Sequence, residues 1–241
     1  MDCVESARQI SDDIIVVDSG SSDKTVEMAV HSGTRVLEIQ WSNFGDARNG
    51  GARIALHDWV LALDADERIS QGLASSIMAL KFDCEATVYG FKRQNFLGDK
   101  KIRFGDWGRD KVYRVYNRRF TSWNVFPVHE TLILKRMSTK FVDGKLEHFA
   151  LKSVQENKKK LEIYARLCAK KYCLMGKKSG IINLVISPVF SFLVCYFFRF
   201  GFLDGKEGFY IAKSIAQYTW LKYFYLQKLS KVGTSHQLAV R

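Results

Sequence analysis

The run Trp59-Val60-Leu61-Ala62-Leu63-Asp64-Ala65-Asp66-Glu67 constrains the fold more than any other stretch of this chain. Trp59 to Leu63 is uninterruptedly apolar and bounded by polar sequence, the pattern of a fully buried strand in a parallel sheet. The run stops at an Asp-x-Asp pair followed at once by a further carboxylate. Ligands of open α/β sheets collect at the carboxyl ends of strands. Three acids crowded at such an end repel one another unless a cation sits among them, and hard ions such as Mg2+ or Mn2+ take carboxylate oxygens there. An isolated Asp-x-Asp is more simply a solvated turn; it is the strand end that argues for a site. On this reading Asp66 binds the metal and Asp64 contacts a ribose or the metal.

A second acidic strand end lies upstream. Asp13-Ile14-Ile15-Val16-Val17-Asp18 is a short apolar run that ends in an acid and flows into Ser19-Gly20-Ser21-Ser22-Asp23-Lys24-Thr25. Gly20 and the small residues permit a tight turn, Ser22 or Asp23 caps the helical pattern Val26 to Ser32, and Gly33 stops it. Two strand–helix units with acids at their tips suggest a nucleotide site. One acid would serve the base and ribose, the other the metal on a diphosphate.

The segments Ile14 to Thr25, Phe44-Gly45-Asp46-Ala47-Arg48-Asn49 and Leu63 to Glu67 together resemble the inverting family 2 glycosyltransferases of GT-A fold. Within that family the chain is most similar to enzymes that add sugars to the lipopolysaccharide core. Val128-His129-Glu130, Leu146-Glu147-His148 and Phe200 to Gly205 carry the likeness onward, so that it covers essentially the whole chain. The resemblance implies an α/β fold of GT-A type, a Rossmann-like mixed sheet flanked by helices. It also implies roles. Asp18, Asp23, Arg48, Asn49 and Asp64 would face the donor, with Arg48 near its diphosphate. Glu130 stands where the family has its general base, and His148 where a histidine often completes the metal shell around Asp66. Asp106 and Trp107, in the Gly105–Gly108 loop, would meet the acceptor, an aromatic face suiting the C–H surface of a pyranose. The family commonly has Tyr-Pro after this Trp; Gly108-Arg109 stand here instead. The family's first strand, which precedes the helix read over Met1 to Ile10, is missing, so a gap or open edge is expected beside the Asp18 strand.

Composition bears on the rest. The 241 residues suffice for a catalytic domain over 1–151 and a helical region over 152–241. The five cysteines form no Cys-x-x-Cys pair, which favours free buried thiols in a reducing compartment. The acidic, polar N-terminus lacks a signal-peptide pattern. Residues 152–241 hold 16 Lys and Arg against 4 Asp and Glu, so the whole net charge of +12 resides there, while 1–151 is neutral. Interleaved with Phe, Tyr and Trp, these bases suit an anionic lipid surface or a nucleic acid; the resemblance selects the membrane and no nucleic acid.

Short strands are further expected over Arg35–Ile39, Thr87–Gln94 and Val112–Tyr116. Helices are expected over Asp46–Leu56 and after Ser70, the latter presenting Leu73, Ile77 and Leu80 on one face. Beyond Lys152, Leu161, Tyr164, Leu167, Cys168, Tyr172 and Met175 recur at helical spacing in a basic amphipathic pattern. Ser179 to Phe198 contains no charge and is long enough to be considered as a membrane span. Asn183, Ser187, Pro188 and Ser191 argue instead for an in-plane helix broken at Pro188 and paired with Phe209–Leu226. A buried helix of a soluble protein is the plainer alternative.

The expected activity is metal-assisted, single-displacement transfer from a nucleotide sugar, a UDP-sugar foremost, to a lipid-linked or lipopolysaccharide-core acceptor. The expected location is the cytoplasmic face of a bacterial inner membrane. Acids at strand ends with a metal and a nucleotide also suit a nucleotidyltransferase acting on a sugar phosphate. The missing strand leaves room for an inactive membrane-binding remnant.

Overall fold

A computed structural model describes residues 1–126, 130–151 and 154–238. Val128 and His129 of the Val-His-Glu motif lie outside the described residues, whereas Glu130 lies within them. The chain divides into two compact units. One comprises Met1–Gln94 and Asp110–Phe149, the other Asn95–Arg109 and Ala150–Arg241.

The first unit runs α1 (Asp2–Ala7), β1 (Ile15–Asp18), α2 (Thr25–His31), β2 (Arg35–Glu38), α3 (Phe44–Ile54), β3 (Trp59–Leu61), β4 (Glu67–Ile69) and α4 (Gln71–Met78). Then follow β5 (Thr87–Leu97), β6 (Lys100–Lys101), β7 (Lys111–Asn117) and β8 (Ser138–Leu151); β6 and the ends of β5 and β8 belong to the second unit. β1 and β2 form a parallel pair, with Asp18 opposite Glu38. The remaining strands build a sheet ordered β3-β7-β5-β8-β4, with β6 on β5. The architecture is α/β, a mixed sheet system flanked by helices and consistent with GT-A. β1 has a strand neighbour on one edge only among the described residues, so the open edge expected beside Asp18 is present.

Local chemistry explains the short elements. Asn43 accepts from the Asp46 N–H at 2.9 Å and Ser70 from that of Leu73 at 3.3 Å, which starts α3 and α4 where side chains satisfy orphan donors. Gly33 ends the α2 turn at φ +73°, a conformation that costs glycine little. Gly45 has a different task. A Cβ there would overlap the carbonyl oxygen of Asn124, so the first turn of α3 lies directly on that backbone.

One expectation fails here. The strand at Trp59 is neither parallel nor fully buried: β3 is half-buried and pairs antiparallel with β7, Leu61 opposite Val115. An apolar run does not encode the direction of its partner, and Trp59 packs face against the exposed Phe82, ring centroids 4.4 Å apart and planes tilted by 31°. The core lies beneath instead, where Leu73 and Ile77 of α4 meet Ile69, Phe91, Val115 and Leu146.

The second unit is helical: α5 (Val154–Leu174), α6 (Ile181–Leu193), a π turn (Val194–Phe198), a 3-10 turn (Gly201–Asp204) and α7 (Lys206–Leu238). Buried Asp204 accepts from the backbone N–H groups of Arg103 and Phe104, the latter at 2.8 Å, and so fastens the 95–109 segment within this unit. Leu97, Ile102, Leu151, Cys195, Ile211 and Ala212 form its core. The expected break at Pro188 does not occur. Pro188 is buried inside α6, which continues to Leu193, and the irregularity comes later as the π turn. On α5 the core positions are Ala165, Cys168 and Ala169, while Tyr164 is exposed, as is Met175 just past the helix, because small residues allow close approach of α7. All five cysteines are free; Cys168 and Cys195 are buried, but Cys84 and Cys173 are not.

Candidate active site

The end of β3 and the start of β4 bring the three acids together and give each a different fate. Glu67 is fully buried. Its carboxylate receives Arg114 at 2.6 Å, Arg93 at 3.2 Å and the Asp64 N–H at 3.0 Å. Asp64 is held by Arg114 at 2.6 Å and by Arg48 from α3. Burial pushes the Asp64 carboxyl up, but the Arg114 and Arg48 guanidinium groups more than offset this and hold it well below the usual carboxylate range. Burial opposes the Arg114 charge, and Asp64 and Glu67 reverse that effect. Contrary to the expectation from the sequence, Asp64 and Glu67 need no metal ion to offset their repulsion, because protein guanidinium groups already neutralise both.

Asp66 differs. No arginine reaches it among the described residues, and its side chain remains 43% exposed. Pairing of β4 with β8 sets Glu67 opposite His148, and the Phe149 N–H donates to the Asp66 carbonyl at 2.9 Å. That register brings His148 Nε2 to 3.5 Å from the Asp66 carboxylate. Burial raises the Asp66 carboxyl, and the His148 hydrogen bond and charge bring it below its ordinary value. Among the described residues no group of three or more His, Cys, Asp or Glu is arranged to enclose a metal. Mg2+ and Mn2+ need no such cage when substrate phosphate supplies oxygens, so one open carboxylate beside one imidazole fits an ion of this kind.

Glu130 joins the same cluster through Arg48, whose guanidinium bridges it to Asp64. Beneath lies Trp123, 5% exposed, with Arg48 4.4 Å and Arg114 5.9 Å from its ring centroid. Asn49 fixes that indole's backbone from α3: its amide donates to the Trp123 carbonyl and accepts from the Trp123 N–H, both at 2.9 Å. Both polar ends of Asn49 are thus engaged by protein. Arg93, Arg114 and Trp123 were not singled out from the sequence. The available signal was Arg114, a lone charge at an inward position of the otherwise apolar Val112–Tyr116 strand.

The remaining candidates are on other elements. Asp18, at the tip of β1, accepts from the Ser21 hydroxyl and from the N–H groups of Ser21 and Gly20, which together lower its pKa and lock the turn. Asp23 is exposed and accepts from the Thr25 N–H at 3.0 Å. Asp106 and Trp107 belong to the second unit. Asp106 pairs there with Arg199. Trp107 packs on that unit's core and lines a cavity of about 120 Å³ with Tyr210, Ile211 and Tyr218.

Comparison with known proteins adds an independent line. The family model described as glycosyl transferase family 2 matches residues 2–140. An uncharacterized glycosyltransferase of Rickettsia typhi is 28% identical over 240 residues, covering 94% of this chain and 82% of its own. One of Rickettsia conorii is 29% identical over 220 residues, covering 86% and 77%. A TPR repeat-containing protein of Synechococcus elongatus is 40% identical over only 68 residues, 28% of this chain and 17% of its own. The similarity to the rickettsial proteins extends beyond the family-matched region into the helical unit. None of these names states a donor or an acceptor.

Proposed function

The chain belongs to glycosyltransferase family 2, and on that premise we propose that it transfers a sugar, with inversion, from a UDP-sugar to a lipid-linked glycan of lipopolysaccharide-core type at the cytoplasmic face of a bacterial inner membrane. It is a glycosyltransferase; the family as a whole implies a nucleotide-sugar donor and a glycan acceptor. The observation that carries the finer reading is the Arg48 bridge between Asp64 and Glu130, with the partly exposed Asp66 paired to His148.

Glu130 is the general base. As the acceptor oxygen forms its bond to the anomeric carbon, Glu130 takes the hydroxyl proton. The bond to the diphosphate oxygen breaks at the same time, and its electron pair leaves with the nucleoside diphosphate. Arg48 shifts from the carboxylates to the diphosphate as that charge develops. Asp64, kept ionised by Arg114, accepts from the ribose hydroxyls. Asp66 and His148 would hold Mg2+ or Mn2+, which when bound supplies positive charge beside the leaving group. Asp18 and Asp23 shape the turn proposed to meet the base and ribose, and Asn49 acts by seating Trp123. Trp107 and Asp106 are the acceptor candidates.

The test is turnover of a panel of nucleotide sugars by the purified full chain, with Mn2+ and with chelator. Metal-dependent release of free sugar and UDP supports the reading. Pyrophosphate release would assign a nucleotidyltransferase instead, and a folded chain with no turnover of any donor would make it a remnant.

A further inference from the structure

The helical unit exposes a surface that its own chain does not cover. Ile181, Ile182, Val185, Ile186, Val189 and Phe190 form a stripe along α6, each between 57% and 77% exposed. Over Ile181–Phe198 the mean hydropathy is 2.2 and only 6% of the segment is buried. Beyond α6 the surface continues through Phe197, Phe198, Phe200, Phe202 and Leu203, all at least 42% exposed. The opposite side of α6 is occupied: Ser191 lies 3.5 Å from the Thr219 hydroxyl of α7, and Phe192 meets the Phe209 ring edge-on at 5.8 Å. A contiguous apolar surface of this extent marks a docking site rather than ordinary surface.

Charge decides what docks. Between Glu162 and Asp204 the sequence has no acidic residue, and its bases include Lys177, Lys178 and Arg199. Lys177 and Lys178 stand exposed directly before α6; Lys206 and Lys213 are exposed beyond it. The occupant must be apolar at its centre and negative at its rim. A second copy paired through the same face would bring lysines against lysines. A bilayer with acidic headgroups satisfies both demands. The one-sidedness of α6 also sets the orientation. With the π turn that continues it, the helix runs Ile181–Phe198, 18 residues and about 27 Å, so it is the polar and covered side of α6, not its length, that argues for lying in the plane. Its polar Asn183, Ser187 and Ser191 follow one another at four-residue intervals, off the exposed stripe.

We propose that this stripe and the phenylalanine-rich turns after it seat the enzyme on an anionic bilayer, with α6 lying in the interfacial plane. The proposal deepens the reading of a lipid-linked acceptor by naming the surface that reaches the lipid; the chemistry of donor cleavage does not depend on it.

The experiment is co-sedimentation of the full chain with phosphatidylcholine vesicles, with and without phosphatidylglycerol, alongside UDP-sugar hydrolysis without vesicles. The parent should bind the acidic vesicles and be partly released by salt. Ile186→Asp with Phe190→Asp should lower binding by at least about tenfold, since charge in the apolar layer is costly. Lys177→Gln with Lys178→Gln should lower it by about fivefold per lysine. Both variants should hydrolyse donor as the parent does. The proposal is overturned if the parent ignores acidic vesicles, or if the aspartate pair binds them unchanged. It is equally overturned if the parent is a dimer that the aspartate pair dissociates without any vesicle binding. Parent protein that resists both salt and alkaline carbonate extraction would make α6 a span and sink the in-plane orientation. Vesicle binding without hydrolysis in any variant would leave the docking surface standing and remove the catalytic reading alone.

Discussion

The two units treat charge in opposite ways. The first gathers Asp64 and Glu67 with Arg48, Arg93 and Arg114 in a largely buried cluster, where each guanidinium contacts a carboxylate. The second leaves Lys177, Lys178, Lys206 and Lys213 in water and exposes phenylalanine and isoleucine as well. Buried charge is costly unless paired and gains directional precision from the pairing. Exposed charge is cheap, weak and mobile. The lesson is a division of labour: a cluster that must hold atoms in place is dry and neutralised, whereas a surface that must adapt to a soft partner keeps its charges loose.

The sharpest way to break this contrast is Asp66→Asn. Asp66 is the open acid of the first unit's cluster, so transfer should fall by about a thousandfold or more with an unchanged melting temperature, as expected for loss of a charge-stabilising site. Near-full activity would mean that the cluster is only structural. Glu130→Gln keeps size and hydrogen bonding and should lower turnover by ~10²–10⁴-fold with donor affinity little changed. A matching rise in KM instead would make Glu130 a binding group.

Stability distinguishes the units further. Arg114→Met leaves Asp64 and Glu67 buried against each other and should cost about 3–5 kcal/mol in urea unfolding. The double variant with Glu67→Gln should recover part of that loss. Asp64 has a folded pKa below its unfolded value, so its contribution is present above the ordinary carboxylate range and is lost as pH falls below about 4. Comparing urea midpoints at neutral and acid pH, the parent should lose more stability than Asp64→Asn. An equal loss would place the acid sensitivity elsewhere. The smallest effect belongs to the second unit. Arg166 and Glu162 pair at 2.6 Å on the exposed face of α5, and Glu162→Gln should leave the urea midpoint essentially unchanged.

What the sequence disclosed follows the range of each interaction. The Asp-x-Asp at a strand end, the cap at Ser70 and the uncharged run in the helical region are local patterns, and each lies where its pattern put it. The antiparallel partner of Trp59–Leu61 and the Arg114 that helps Arg48 neutralise Asp64 arise from β7, some fifty residues away, and leave no periodic trace. The acids were legible; the Arg114 that governs two of them was not. Pro188 misled for a related reason. Proline removes one donor from a helix, but packing of that face against the rest of its unit outweighs the loss.

Gly45 gives the site a gauge that no functional group provides. Because the α3 backbone rests directly on the Asn124 carbonyl, the separation of these two segments is set at zero side-chain thickness. Arg48 is three residues along one segment and Glu130 six along the other, so a single added methyl would act as a shim between the Glu130 carboxylate and the Arg48 guanidinium. A random library scored for lost transfer should therefore include Gly45→Ala among its inactive members, although the alanine touches no substrate and carries no chemistry.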